Sequence, residues 1–358
     1  MALPDADFPA DPYPGAAPPF SFVHADEQSH VLDPHPAHGW TVAGVPLDSW
    51  LAARGGVPRA LRVPVLAYGS NRCPSKITWL RRALGMGADP VVVLRARTRD
   101  VTAVWAAGLR RRDGQRPAVL TAAPGVVEEH GVWLATPDQI AVLDRCEGRD
   151  ERFRLARLRS GEVCTDHGVR IEEPWCYVGH GAIRRPLLVD GAPVRCADLP
   201  QDAARWLDGV PAPGDGLEAP TVTGAPHPDE WPAAVFVYGN LQPGHAAWPR
   251  LAPHAVGEPR RTTVDGSVRA TGPGPTALRP GTGGRAPGWL VPVRDPAGLL
   301  PVLDEQVGDE HVYDEQEGPQ YRRERLVAGR GTPCWSYVRV NPPGRNSRQI
   351  TPAARSVP

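Results

Sequence analysis

Two short apolar runs, each ending in Tyr-Gly, mark the starts of two ordered segments of the chain. The first run is VPVLAYGSN, from Val63 to Asn71, and the second is AAVFVYGNL, from Ala233 to Leu241. An apolar run that stops at a turn glycine is typical of a buried strand followed by a tight loop. Both segments are therefore predicted to begin with such a strand and loop.

The segment TPDQIAVLDRCEG combines an apolar face with helix start and stop signals. Thr136 suits the N-cap, Pro137 suits the first helical position, and Gln139 completes a capping box. Gly148 supplies a C-terminal stop, so Glu147 would lie in the last turn of a short helix. The negative end of the helix dipole should raise the pKa of a carboxyl there, which suits proton transfer.

A Glu-Gly pair also follows the second Tyr-Gly loop, in the segment YDEQEGPQYRRERLV. The spacing is 79 residues from Tyr68 to Glu147 and again 79 residues from Tyr238 to Glu317. An arginine-rich strand pattern follows each pair. We align YDEQEG with LDRCEG and interpret the common order and spacing as an internal duplication.

The second copy is less regular than the first. Pro301 interrupts its helical pattern, and the acidic insertion VGDEHVYDEQ precedes Glu317. Glu305 and Glu310 are therefore alternative acids in this copy. For each Glu-Gly glutamate, the alternative to a functional role is a solvated residue at a helix end.

Composition divides the chain into five parts, and the pattern within them predicts an α+β fold. The predicted fold consists of two tandem modules, each a small mixed β-barrel with a few short helices. The predicted parts are a Pro-rich, partly disordered arm (1–60), a first domain (61–208), a Pro/Gly-rich flexible linker (209–232), a second domain (233–340) and a flexible tail (341–358).

The balance of charged residues limits the classes of macromolecule that the chain could bind. Forty basic and forty acidic residues give a formal net charge of zero, which argues against nucleic-acid and anionic-membrane partners. No apolar run approaches the roughly 18 residues of a membrane span, and the first residues lack a signal-peptide pattern, so we expect a cytoplasmic protein.

The six cysteines lack zinc-site spacing and are interpreted as reduced thiols. His35 and His38 are interpreted as solvated, because no further ligands stand beside them.

The motifs resemble those of the γ-glutamylcyclotransferase family and its AIG2-like relatives, the γ-glutamylamine cyclotransferases. YGSN resembles the family's YGSN loop, and VYGNLQPG resembles the YGTLKxG loop of the AIG2-like branch. LDRCEG and YDEQEGPQYRRERLV resemble the LDxxEGxxYxRxxV segment, whose glutamate is the general acid/base. The resemblance implies Glu147 and Glu317 as catalytic residues. The substrate-binding residues it implies are Tyr68, Gly69, Ser70 and Asn71 in the first copy and Tyr238, Gly239, Asn240 and Leu241 in the second.

The resemblance implies an internal aminolysis of a small-molecule γ-glutamyl amide, giving 5-oxoproline and a free amine or amino acid. The substrate supplies the nucleophile, so the family's chemistry implies no cofactor or metal. The chain departs from the family pattern at Arg72, Phe153, Asn240 and Gln242, which leaves the substrate open.

A non-catalytic binding or regulatory module is the alternative function, and action on another amide is a weaker one. Core packing with a locally bonded hydroxyl is the equal alternative for the two motif tyrosines. The run GLRRRDGQR (108–116) is interpreted as an exposed hairpin turn rather than an anion site. The oligomeric state is left open.

Overall fold

The computed structural model describes residues 1–35, 39–270, 276–309 and 321–339. These residues form a mixed α+β architecture with an eleven-stranded sheet and, in the C-terminal region, a closed barrel of five strands. Small sheets of three and two strands complete it. Among the helices that lie in the described ranges, none is long and apolar enough to cross a membrane.

In its described residues, the N-terminal region, 1–232, contains fourteen strands and four α-helices. Its strands are β1 (Ala2–Pro4), β2 (Phe22–Ala25), β3 (Gln28–His35), β4 (Gly39–Val42), β5 (Val45–Pro46), β6 (Val63–Ala67), β7 (Val91–Trp105), β8 (Ala118–Ala135), β9 (Phe153–Arg157), β10 (Glu162–Thr165), β11 (Trp175–Gly179), β12 (Leu187–Val189), β13 (Ala192–Pro193) and β14 (Val210–Pro211). Its helices are α1 (Leu47–Ala52), α2 (Pro74–Leu84), α3 (Pro137–Glu147) and α4 (Gln201–Ala204).

The barrel region, residues 233–339, contains the remaining elements. Its strands are β15 (Ala234–Val237), β16 (Arg260–Asp265), β17 (Ser267–Ala270), β18 (Thr276–Arg279), β19 (Arg285–Pro292), β20 (Tyr321–Ala328) and β21 (Thr332–Arg339). Its helices are α5 (Trp248–Leu251) and α6 (Pro296–Asp309). The predicted tail, 341–358, lies outside the described residues.

The first strands of the chain belong to the large sheet, whose path is β5-β4-β3-β2-β7-β8-β6-β11-β9 with β1 beside β3 and β10 beside β7. β2 pairs antiparallel with β7, placing Phe22 opposite Val93. Phe22, Leu32 and Trp50 are buried in the same core as the strands of the predicted first domain. The described part of residues 1–60 is therefore not the partly disordered arm that we predicted. Apolar residues scattered among the prolines extend the sheet beyond a small barrel.

The Pro/Gly-rich segment 209–232 is held against β9 by backbone hydrogen bonds, so it is not the flexible linker that we predicted. Arg157 N donates to Pro220 O at 3.0 Å, and Val222 N donates to Leu155 O at 2.8 Å. Trp231 at its end is buried in the core of the N-terminal region. Its composition resembles that of a linker, but backbone hydrogen bonds and one buried tryptophan fix its path.

The closed barrel has the strand order β15-β19-β16-β20-β21. Helix α6 packs beside it through Leu299, Leu300 and Leu303, which are fully buried. The helix continues through Pro301, contrary to the predicted interruption. Pro301 is exposed, and the three buried leucines hold the adjoining turns in place.

The two regions share one pattern of strand pairing around their Tyr-Gly strands. β6 pairs antiparallel with β8 and parallel with β11, with Val65 opposite Trp175. β15 likewise pairs antiparallel with β19 and parallel with β21, with Val235 opposite Trp335.

A half-buried arginine of the barrel, Arg325, joins the barrel to the N-terminal region. Arg325 Nη1 donates to Arg59 O at 3.0 Å and to Arg62 O at 2.5 Å, and its Nη2 donates to Pro228 O at 2.6 Å. The same guanidinium stacks on Trp231. Burial lowers the pKa of Arg325 to about 9.

Candidate active site

Helix α3 places the first Glu-Gly glutamate and follows the sequence prediction closely. The Thr136 side chain accepts from Gln139 N, and Gln139 Oε1 accepts from Thr136 N at 3.1 Å, so the predicted capping box is confirmed. The helix ends at Glu147, and Gly148 follows with the positive φ of 63° that favours glycine.

The Tyr-Gly loop meets this helix end. After β6, residues Ser70–Arg72 form a short 3-10 turn that leads into α2. Asn71 Nδ2 donates to Glu147 Oε1 at 2.8 Å, and Trp133 Nε1 on β8 donates to Asn71 O at 2.7 Å. Two motifs that are 76 residues apart are therefore joined by a direct hydrogen bond.

A cavity of about 560 Å³ opens where the loop and the helix end meet. The lining residues taken from the two first-copy motifs are Tyr68, Gly69, Ser70, Asn71 and Glu147. Burial raises the pKa of the Glu147 carboxyl above its ordinary value of 4.5, against the opposing effects of the Asn71 hydrogen bond and the Lys76 charge. The direction agrees with the expectation from the helix end, and the cause in the structure is burial.

The hydroxyl of the first motif tyrosine is bonded to the protein backbone. Tyr68 OH donates to Tyr177 O at 2.5 Å. Tyr177 OH in turn donates to Asp144 Oδ1 at 2.7 Å, and Asp144 forms an ion pair with Arg149. This chain links β6, β11 and α3, so Tyr68 has a structural bond while its ring lines the cavity.

Tyr13 also lines the cavity, and the sequence reasoning missed it. Its hydroxyl accepts from Ala118 N at 3.0 Å and lies 3.2 Å from the position of a Cβ built on Gly69. A side chain at Gly69 would crowd this hydroxyl. Pairing elsewhere in the N-terminal strands brings Tyr13 to the cavity. The sequence around Tyr13 has no periodic pattern, so no local signal indicated its position.

The arginine-rich turn between β7 and β8 forms one wall of the cavity, where we predicted an exposed hairpin turn. Arg110, Arg111 and Arg112 all line the cavity, although Arg111 and Arg112 also remain exposed. The turn is anchored by Arg116, which is 4% exposed and donates to backbone carbonyls that include Ala204 O and Ala106 O. The predicted hairpin turn is therefore present and partly exposed, and it also lines the cavity, which the sequence did not indicate.

The second Tyr-Gly loop repeats part of this arrangement. Gly239–Leu241, which contains Asn240, forms a 3-10 turn after β15. Tyr238 OH donates to Tyr337 O at 2.6 Å, and Tyr337 OH donates to Asp304 Oδ1 at 2.7 Å. The backbone differs at the glycine, where φ is 58° at Gly239.

The tyrosine chain changes the alignment of the second Glu-Gly segment. Asp304 on α6 occupies the place that Asp144 occupies on α3, so LDRCEG corresponds in space to LDEQVG rather than to YDEQEG. Val307 therefore stands three residues after this aspartate, where the first copy has Glu147, and it packs against the barrel core.

The remaining sites predicted for the second copy are only partly described. Glu317 and Glu310 lie outside the described residues, and Glu305 is exposed on α6. The segment that ends at Asp304 is ten residues shorter than its counterpart in the N-terminal region. The acidic insertion that follows restores the equal spacing of 79 residues.

His38 also lies outside the described residues. Within the described ranges, no group of three or more His, Cys, Asp or Glu is placed to hold a metal.

Comparison with known proteins adds a family match for the barrel region. Residues 235–354 match the family model described as gamma-glutamyl cyclotransferase, AIG2-like. The match begins after the N-terminal region, which contains the cavity. No curated protein sequence matches the chain.

Three solved structures show similarity to this chain at low sequence identity. An AIG2-like protein from Mus musculus is 22% identical over 30% of this chain and 76% of its own, with a TM-score of 0.23. An uncharacterized protein from Homo sapiens is 18% identical over 34% of this chain and 68% of its own, with a TM-score of 0.28. YkqA from Bacillus subtilis is 14% identical over 78% of this chain and 85% of its own, with a TM-score of 0.25.

Proposed function

We propose that this chain is a γ-glutamylcyclotransferase-type enzyme built from two tandem modules, with Glu147 as the general acid/base of the first. The observation that carries the proposal is a glutamate of raised pKa, bonded to Asn71 of the Tyr-Gly loop at the wall of a cavity. The family match of the barrel region supports the same class of reaction.

The reaction needs one proton shuttle and a folded substrate. The Glu147 carboxylate takes a proton from the substrate's α-ammonium, and the freed amine attacks the γ-carbonyl carbon of the same molecule. A bond forms between the α-nitrogen and the γ-carbon, and the bond from that carbon to the leaving nitrogen breaks. Glu147 returns the proton to the leaving nitrogen, and the second proton that the attacking nitrogen loses also passes to the released amine, which yields 5-oxoproline and the amine in its ammonium form.

Asn71 would form hydrogen bonds with both groups that exchange the proton, the Glu147 carboxyl and the substrate ammonium. Its Nδ2 binds Glu147, whereas its buried Oδ1 has no hydrogen-bond partner among the described residues. An ammonium beside Glu147 would provide the missing donor. Backbone N–H groups of Gly69, Ser70 and Asn71 are the proposed donors for the glutamyl carboxylate and the developing oxyanion, since a turn after a strand presents such groups.

In the second module, the proposed site consists of Glu317 with the loop residues Tyr238, Gly239, Asn240 and Leu241. The presence of Val307 at the helix position of Glu147 favours a second candidate function for this module, that of a non-catalytic binding or regulatory domain. A valine cannot transfer a proton, so catalysis in this module would depend on Glu317.

The test is release of 5-oxoproline from γ-glutamyl amino acids, γ-glutamylamines and glutathione. We compare the wild type with Glu147→Gln, Glu317→Gln and the double variant, and use the exposed Glu151→Gln as a matched control. Loss in Glu147→Gln with retention in Glu317→Gln and Glu151→Gln is the expected result. A folded wild type without activity on any substrate would refute the enzyme proposal.

A further inference from the structure

The wall of the cavity carries a large excess of positive charge. Glu147 is the one carboxylate among the described lining residues. The cationic lining residues are Lys76, Arg110, Arg111, Arg112, Arg152 and Arg184. The chain as a whole has a formal net charge of zero, so this concentration of charge is local.

Arg184 is the one buried residue among these lining cations. It is 6% exposed, its Nε has no hydrogen-bond partner among the described residues, and no carboxylate of those residues lies within ion-pair distance of it. Its recorded hydrogen bond is a long one, from Nη1 to Ile183 O at 3.4 Å. A buried charge without a counter-ion is costly, which makes this guanidinium a binding group for an anion.

Other buried arginines of the same region are satisfied by the protein. Arg62 is fully buried and forms an ion pair with Asp89 at 2.7 Å. Arg116 donates to four different backbone carbonyls. Arg184 differs from both because it faces the cavity and lacks such acceptors.

Two neighbouring arginines add to the positive field at Arg184. Arg152 donates to Glu147 O and Cys146 O at the end of α3, each at 3.1 Å, and forms no ion pair with a carboxylate of the described residues. Arg110 shares Asp113 with Arg112. Burial first, and then the charges of Arg152 and Arg110, lower the pKa of Arg184.

The γ-glutamyl half of a substrate does not account for this charge. That half has one carboxylate and one ammonium, and the Tyr-Gly loop and Glu147 are already assigned to them under the proposed function. We propose that the amine half of the substrate carries an anionic group that binds Arg184 and its neighbour Arg152. The amine half of any γ-glutamyl amino acid has one carboxylate, and an acidic amino acid adds a second. The preferred substrates would then be γ-glutamyl derivatives of acidic amino acids, followed by other γ-glutamyl amino acids and last by γ-glutamylalkylamines; this inference rests on the proposed function.

The experiment measures kcat/KM for four substrates that differ in the amine half. They are γ-glutamylglutamate, γ-glutamylalanine, γ-glutamyl-O-phosphoethanolamine and γ-glutamylbutylamine. We expect γ-glutamylglutamate to exceed γ-glutamylbutylamine by about tenfold or more, because charge-assisted hydrogen bonds to a guanidinium are strong. A preference for the phosphoethanolamine compound would identify phosphate as the anionic source, and equal values for all four would overturn the inference.

Arg184→Met should remove the preference by raising KM for γ-glutamylglutamate about tenfold or more, with less than about a threefold change for γ-glutamylbutylamine. Arg184→Lys, which retains a charge, should recover part of it. Arg99→Met, at a 58% exposed side chain, is the matched control and should change neither substrate. Equal losses on both substrates would assign Arg184 a purely structural role and overturn the inference. If Arg184→Met does not fold, Arg111→Gln, at an exposed lining residue, must reduce the same preference.

The inference and the proposed function can fail separately. Activity without any anion preference would retain the cyclotransferase proposal and overturn the inference. If no substrate yields 5-oxoproline, the inference is tested by measuring the affinity of the wild-type chain for these compounds by calorimetry. Tighter binding of γ-glutamylglutamate than of γ-glutamylbutylamine would support an anion site, and equal binding would overturn it.

Discussion

Replacement of Glu147 by glutamine should separate the chemical role of its carboxyl from its role in folding. Glutamine has nearly the same size, and its Oε1 can still accept the 2.8 Å hydrogen bond from Asn71. That bond, worth about 1 kcal/mol net, is therefore retained. The substitution removes the ionisable group and little else.

The expected loss of kcat is about 10²- to 10⁴-fold, which is the usual contribution of one positioned acid/base group. This corresponds to about 3–5 kcal/mol of activation free energy. KM should change less, since the hydrogen bond and the cavity remain. A variant with more than about one-tenth of the wild-type kcat would refute a general acid/base role.

The same variant should be at least as stable as the wild type at pH 8. Burial raises the pKa of Glu147, so the folded state holds its proton more tightly than the unfolded state does. The stabilisation from this proton is fully present below the unfolded pKa and is lost as pH rises through the folded pKa. Glutamine has no such loss. The melting temperature of Glu147→Gln should equal or exceed that of the wild type at pH 8, and the two should converge near pH 4.

Thermal unfolding followed by circular dichroism at several pH values measures this difference. The exposed Glu151→Gln is again the control and should show no comparable pH dependence. A lower melting temperature of Glu147→Gln at pH 8 would mean that the neighbouring cations stabilise the carboxylate more than burial destabilises it. That result would contradict the raised pKa.

Three further substitutions test the packing around the site by urea denaturation. Tyr177→Phe removes the hydroxyl that donates to Asp144 and should cost about 0.5–1.5 kcal/mol of unfolding free energy. Arg62→Met leaves Asp89 without its buried partner and should cost about 3 kcal/mol or more. Phe22→Ala empties a core position on β2 and should cost about 3–5 kcal/mol.

Controls for these substitutions come from the same chain. Tyr337→Phe removes the equivalent hydroxyl in the barrel region and should cost as much as Tyr177→Phe. Val127→Ala, at a residue that is 49% exposed, should cost much less than Phe22→Ala. Unchanged stability of Phe22→Ala would mean that the N-terminal strands are loosely attached, as the sequence had suggested.

Local sequence signals predicted the elements whose physics is local. The cap at Thr136, the stop at Gly148 and the apolar face between them are interactions within one helix, and they placed Glu147 in its last turn. The two Tyr-Gly strands were likewise readable, because each is a buried apolar run with a turn glycine after it.

The order of the motifs did not predict which residues correspond in the N-terminal and barrel regions. Equal spacing paired Glu147 with Glu317, whereas the hydrogen bond from Tyr337 to Asp304 places Val307 at the corresponding helix position. Spacing counts residues along the chain, and a shortened segment followed by an insertion can preserve the count. A hydrogen bond between distant strands and helices is not subject to this ambiguity.

The sequence by itself determined the two Tyr-Gly strands with their loops and the glutamate at the end of α3, because each depends on residues close together in the chain. Only the tertiary structure decided that Tyr13, Arg110 and Arg184 would line the same cavity. Their convergence depends on long-range strand pairing and on burial of apolar residues that are separated by many prolines. Such pairing leaves no periodic pattern around any one of these residues, so the charge of the cavity could not be predicted from the motifs alone.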